Sequence, residues 1–188
     1  DLDAPGTRTP VVPESAEPVE SAAWVGGKVI LKRMRDAAGV LEIWSADGVR
    51  LASPELPGLG TVGGLSGRPE GADLFTSFMG FTTPPRILRV NVDTGAAQTW
   101  KAPDVPVHTE DFVTERVFYA SKDGTRVPMF LTRRKDLPRD GESPLLLYGY
   151  GGFNNALTPW FSASALTWCE MGGVYAVACT RGGAEYGE

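Results

Sequence analysis

Leu145-Leu146-Leu147-Tyr148-Gly149-Tyr150-Gly151-Gly152-Phe153-Asn154 is an apolar run that stops abruptly in glycines with aromatic rings set between them. A leucine run bounded by turn residues suits a strand buried on both faces, and the glycines let the backbone turn sharply and expose its N–H groups. That is how an anion-stabilising loop is built. A simple turn after a buried strand has the same composition, so the glycines alone leave both readings open.

The residues that follow place this stretch in an α/β unit. Ser162 to Met171 reads as a helix, with Ala163, Leu166 and Trp168 offering apolar contacts and Gly172-Gly173 as its stop. Val174 to Cys179 is a second uninterrupted apolar strand, and Arg181-Gly182-Gly183 ends it in glycines again. Strand, helix, strand, with both strands apolar throughout, predicts a βαβ unit in a parallel sheet covered on both faces. Ligands in such sheets sit at the carboxyl ends of the strands, where both glycine loops fall.

Upstream, Phe112 to Tyr119 and Val127 to Arg133 form a hairpin around Ser121-Lys122-Asp123-Gly124. Before it, Lys101 to Asp111 is a polar connector carrying Pro103, Pro106 and the only histidine, His108, and marks a candidate domain boundary.

The first part of the chain repeats itself. Lys28 to Met34 is a β-type run, Ala38-Gly39 a turn, Val40 to Ser45 a strand, Asp47-Gly48 a hairpin signal, and Val49 to Ala52 a return. Asp73 to Met79, Arg86 to Val92, the turn Asp93-Thr94-Gly95 and Ala97 to Trp100 repeat the pattern. Gly48 and Gly95 lie 47 residues apart, and a similar turn, Asp3-Ala4-Pro5-Gly6, lies 42 residues before Gly48. A period in the forties with about four short strands per unit is what a β-propeller blade requires. Two matched hairpins in a plain sandwich are the competing reading. About two blades are too few to close a ring, so the chain is expected to be an excerpt of a longer one.

Composition narrows the function. With 188 residues, 42% hydrophobic and 22% charged, the chain has the balance of a globular protein. A net charge of -5 provides no basic stripe for nucleic acid, and the apolar runs are too short for a helix to cross a membrane. Cys169 and Cys179 fit neither a zinc pair nor a redox pair and read as buried small hydrophobes.

No Gly-x-Ser-x-Gly occurs. Ser66 in Gly63-Gly64-Leu65-Ser66-Gly67 is a near miss, read as a turn serine, and His108 reads as a solvated or hydrogen-bonded linker residue. No metal cluster, phosphate loop or paired carboxylates are placed by sequence. The chain alone cannot run a serine triad, but it can supply the electrostatic half of one. In α/β hydrolases one oxyanion donor comes from the loop between a central strand and the next helix, here Gly149 to Asn154. Tyr150 can place a phenolic O–H there, and Phe153 can offer a flat apolar wall. Ordinary aromatic packing at a strand end is the alternative for each.

Tyr148-Gly149-Tyr150-Gly151-Gly152-Phe153-Asn154, Met171-Gly172-Gly173-Val174-Tyr175-Ala176-Val177-Ala178, Arg181-Gly182-Gly183-Ala184-Glu185-Tyr186-Gly187-Glu188 and Tyr119-Ala120-Ser121-Lys122-Asp123-Gly124-Thr125-Arg126-Val127-Pro128-Met129-Phe130 together resemble the prolyl oligopeptidase family. The resemblance implies the last blades of a β-propeller over residues 1–107, followed by the start of an α/β-hydrolase domain over residues 108–188. It implies a cytoplasmic or periplasmic serine peptidase that needs no cofactor and cleaves short proline-containing peptides after proline. Tyr150 corresponds to the family's oxyanion tyrosine and Phe153 to a residue lining the proline pocket. The remainder of the catalytic domain and propeller would be the chain's partner, with the nucleophile, acid and histidine carried there. Ala184 stands where the family often has a third glycine. A superfamily member with a different specificity, or a non-catalytic propeller interaction module, are the rival expectations.

Overall fold

Three four-stranded sheets organise the chain in the computed structural model, which describes residue 6 and residues 10–187. The first is β1 (Val19–Val25), β2 (Lys28–Arg35), β3 (Ala38–Trp44) and β4 (Arg50–Ala52), antiparallel and in chain order. The second repeats it with β5 (Thr61–Gly67), β6 (Asp73–Gly80), β7 (Thr83–Asn91) and β8 (Ala97–Lys101). These are two propeller-type blades in succession. They pack face to face through Val25, Ile30, Leu41 and Ile43 on one side and Val62, Leu74, Phe78, Leu88 and Val90 on the other. Each such side chain taken fully out of water contributes about 1.5–3 kcal/mol, which is why one blade needs the next.

Four sequence readings are corrected here. β1 and β5, the strands that open each blade, are additional. β5 escapes pattern reading because its glycines are there for close approach: a Cβ on Gly67 would sit 2.6 Å from Val25 Cγ1 of the first blade, and one on Gly63 would strike Ser77 Oγ. Ser66 consequently lies inside β5, opposite Phe75, and is not a turn residue. The first hairpin turns at Asp36-Ala37, with φ of 49° and 64°, while Ala38 and Gly39 already belong to β3. Asp accepts the left-handed conformation that a two-residue hairpin demands. The Asp47-Gly48 turn stands as read, with Gly48 at φ 82° and its N–H bonded to Ser45 O at 3.1 Å. The Asp3-Ala4-Pro5-Gly6 turn lies outside the described residues except for Gly6.

The third sheet has the order β11-β12-β10-β9, where β9 is Phe112–Ala120, β10 Arg126–Arg134, β11 Leu145–Tyr150 and β12 Val174–Cys179. β10 is antiparallel to both neighbours, whereas β11 and β12 are parallel and joined through helix α1 (Ala163–Glu170). Ser162 caps α1 by accepting from Ala165 N at 3.2 Å. Gly172, at φ 89°, turns the chain out of it.

β12 is buried, as expected for an inner strand, but β11 is not. Its whole length is exposed, Leu147 to 59%, because it forms the edge of the sheet. This is the fourth correction: an apolar run reports what a strand is suited to lie against, and among the described residues nothing lies against β11 on its open side.

One hydrophobic core joins the third sheet to the blades. Around Phe130, Leu166, Cys169, Tyr175 and Val177 it includes Ala37 from the β2–β3 turn and Phe81 from the β6–β7 turn. Phe81 is 1% exposed, with its ring centroid 5.1 Å from Trp160, 5.5 Å from Phe130 and 6.1 Å from Tyr175. Polar bonds reinforce the joint: Thr61 Oγ1 donates to Pro159 O at 2.7 Å, and Arg116 Nη1 to Arg35 O at 2.9 Å and Asp36 O at 3.1 Å. Tyr186 Oη donates to Asp36 Oδ1 at 3.1 Å.

Candidate active site

β11 and β12 run parallel, so their carboxyl ends lie side by side and bring the two glycine loops together. Thr180 N donates to Tyr150 O at 3.2 Å at the end of the ladder, and Asn154 N donates to Gly182 O at 3.0 Å across the loops. The fit depends on missing side chains. A Cβ on Gly151 would run into the carbonyl oxygens of Thr180 and Arg181, and one on Gly182, itself at φ 93°, would stand 2.7 Å from Gly151 O. Both are therefore glycines of necessity.

The register places Leu146, Tyr148 and Tyr150 on the sheet face that carries Tyr175, Val177 and Cys179. Tyr148 packs its ring at 81° against Trp160, with centroids 5.8 Å apart. Tyr150, two residues on, turns back over Gly152, whose Cβ position is 3.3 Å from Tyr150 Oη, and remains partly open to solvent. Phe153 and Asn154 follow in consecutive left-handed conformations, φ 53° and 55°. A bulky residue there costs of order 1–3 kcal/mol and persists only where its surroundings impose it, which is common at functional sites. The Phe153 ring is 98% exposed. Among the described residues it packs against nothing.

Tyr150 and Phe153 thus share one loop. Ser66 and His108 do not join them: Ser66 stays in the opening strand of the second blade, and His108 is exposed in the connector with Nδ1 3.2 Å from Glu110 Oε1. Among the described residues no group of histidine, cysteine or carboxylate side chains is placed to hold a metal. Both cysteines are buried thiols without a disulfide. Cys169 Sγ donates to Thr132 O at 3.3 Å and Cys179 Sγ to Leu157 O at 3.4 Å. Burial, with the Glu185 carboxylate nearby, pushes the Cys179 thiol up to about 12, which keeps it protonated and unreactive at neutral pH.

Two charged groups that sequence reading passed over organise the second glycine loop. Arg181 Nη2 binds Asp123 Oδ2 and donates to Thr125 Oγ1 at 2.7 Å, tying the loop to the β9–β10 turn. The hydrogen bond from Arg181, helped by the Thr125 amide, holds the Asp123 carboxyl down to about 2. The clamp therefore stays charged through neutral and mildly acidic pH and is lost only as pH falls toward that value. Glu185, 4% exposed, accepts from Leu157 N at 2.7 Å. Neither partnership is local in sequence, so no spacing rule announces it.

The loop thus brings a partly exposed phenol and an exposed aromatic side chain within three residues of each other. A sequence model of the prolyl oligopeptidase N-terminal β-propeller domain matches residues 1–103. A prolyl endopeptidase of Elizabethkingia miricola is 39% identical over 184 residues, 98% of this chain and 26% of that protein. A dipeptidyl aminopeptidase BI of Pseudoxanthomonas mexicana is 41% identical over 128 residues, 66% of this chain and 18% of that protein. Among solved structures, a prolyl endopeptidase matches with 45% identity and a TM-score of 0.82, covering 93% of this chain and 26% of that one. Prolyl oligopeptidase B from Galerina marginata, bound to a 25-residue macrocyclisation substrate, matches with 29% identity and a TM-score of 0.83, covering 93% and 25%. The chain belongs to the prolyl oligopeptidase family. It spans about a quarter of the length of the prolyl endopeptidases it matches. Among the described residues no helix is long and apolar enough to cross a membrane.

Proposed function

We propose that this chain is part of a cytoplasmic or periplasmic serine endopeptidase that cleaves short peptides on the carboxyl side of proline. Residues 1–107 are the C-terminal blades of its propeller, and residues 108–188 begin its α/β-hydrolase domain. The rest of the parent chain covers β11 and brings the nucleophile, acid and histidine. Tyr150 donates its hydroxyl to the oxyanion of the tetrahedral intermediate, and Phe153 walls the pocket for the substrate proline. A proline ring offers no N–H and little else to hydrogen-bond, so an apolar aromatic wall is the appropriate surface for it.

The observation that carries this reading is the Phe153 ring, 98% exposed on a left-handed backbone and three residues beyond Tyr150. A large apolar group held out at a cost needs an occupant, and a peptide substrate provides one. The likeness to a dipeptidyl aminopeptidase supports a second reading, in which the same oxyanion loop serves a different specificity.

The test of the donor is Tyr150→Phe in the complete enzyme. Losing one preorganised oxyanion donor is expected to lower kcat by about 10²–10³, roughly 3–4 kcal/mol of barrier, with little change in KM. An unchanged kcat would remove Tyr150 from the oxyanion site.

A further inference from the structure

Between Tyr150 and α1 the chain runs through residues 151–162 without helix or strand. So long an irregular stretch stays in one place only if its backbone is held. Leu157, in its middle, is held by both of its backbone groups: its N–H donates to Glu185 Oε1 at 2.7 Å, and its carbonyl accepts from Cys179 Sγ at 3.4 Å. Two residues later, Pro159 O accepts from Thr61 Oγ1 at 2.7 Å.

Glu185 is the charged member of this set, and its carboxylate is almost wholly out of water. The loop is shaped around it. A Cβ on Gly183 would collide with both carboxylate oxygens, so that position is a glycine because Glu185 folds back over it. The same loop meets the first one through Gly182 O, which accepts from Asn154 N at 3.0 Å. Tyr150 and Phe153 therefore lie in a segment closed at one end by the β11–β12 ladder and at the other by Glu185.

We propose that Glu185 is a positioning residue for the Tyr150–Phe153 loop: its buried carboxylate grips the backbone at Leu157 and fixes where the phenol and the ring stand. This rests on the reading of Tyr150 as an oxyanion donor. What matters is an acceptor oxygen at the right reach. Gln preserves that acceptor, Asp keeps the charge but withdraws it by one methylene, and Ala removes it and leaves a buried N–H without its partner.

The experiment measures kcat and KM for a chromogenic peptide cleaved after proline in the complete enzyme. The variants are Glu185→Gln, Glu185→Asp and Glu185→Ala, each with Tyr150 intact and with Tyr150→Phe. Asp and Ala are expected to lower kcat about tenfold or more with KM within about threefold, and Gln to stay within about threefold of the parent. In the Tyr150→Phe background the Asp and Ala losses are expected to shrink below about threefold, because a hydroxyl that is absent cannot be misplaced. If Ala does not fold, the Asp variant carries the comparison.

Equal losses in both backgrounds, or a Gln variant as slow as Asp, would reduce Glu185 to a structural role and overturn the proposal while leaving Tyr150 in place. If Tyr150→Phe alone leaves kcat unchanged, the oxyanion assignment falls and this proposal falls with it.

Discussion

At the scale of single residues, the site loop separates aromatic rings that pack from rings that do not. Tyr148 leans on Trp160, and Phe81 lies fully buried among Phe130, Trp160 and Tyr175, whereas Phe153 touches solvent over nearly its whole surface. Replacing Phe153 by Ala in the complete enzyme is expected to lower kcat/KM for proline-containing peptides about tenfold, the loss of an apolar pocket contact. If the ring faces substrate rather than the rest of the enzyme, the melting temperature should hold, since among the described residues the ring buries nothing; a fall in melting temperature with kcat/KM intact would return Phe153 to packing. The loop carrying Tyr150 and Phe153 stands out in the sequence because glycines on both sides of an aromatic pair after an apolar run are a local signal, and the roles proposed for the two residues await the variants above. Glu185 does not stand out. Its meaning depends on Leu157, 28 residues away, and no local pattern marks a carboxylate that will be buried.

At the scale of elements, most strands with alternating or β-branched sequence were readable, whereas the two that open the blades, β1 and the glycine-rich β5, were not. β2, β3, β6, β7, β9, β10, β12 and α1 lie where periodicity puts them, within a few residues at their ends. β5 is a strand because of what it packs against: its glycines admit Val25 and Ser77, and composition alone suggests a loop. The Asp36-Ala37 turn was misplaced by two residues because Ala is a poor left-handed residue, and only its burial in the shared core explains its presence. The β6–β7 turn makes the same point with a larger side chain. Phe81→Ala is expected to destabilise the protein by about 3–5 kcal/mol, the cost of emptying a well-packed aromatic site, as read from denaturant unfolding. A loss under about 1 kcal/mol would mean that the surrounding rings close the gap, and that Phe81 does not hold the blades to the third sheet.

For the molecule as a whole, the blade pattern and the βαβ pattern were both present in the sequence, but their joint was not, since it is made by turns inserted from a distance. The exposed edge of β11 is equally a whole-molecule property. Leu145, Leu146 and Leu147 stand open on an edge strand that, among the described residues, pairs on one side only, which is a template for another strand. Residues 1–188 produced on their own are expected to self-associate with rising concentration in light scattering, and Leu147→Lys to reduce that association. A monodisperse, cooperatively melting monomer at every concentration would show that the edge is not adhesive.

The insertion of Ala37 and Phe81 into the core around Phe130 and Tyr175 also bears on how such chains can diversify. The joint between the second blade and the third sheet would be a convenient seam for exchanging one set of blades for another. The seam is keyed, because equivalent turns of successive blades carry the plugs and the third sheet carries the sockets. A propeller transplanted without its matching plugs would leave an apolar hole in its host, so the two halves are expected to be inherited as a pair.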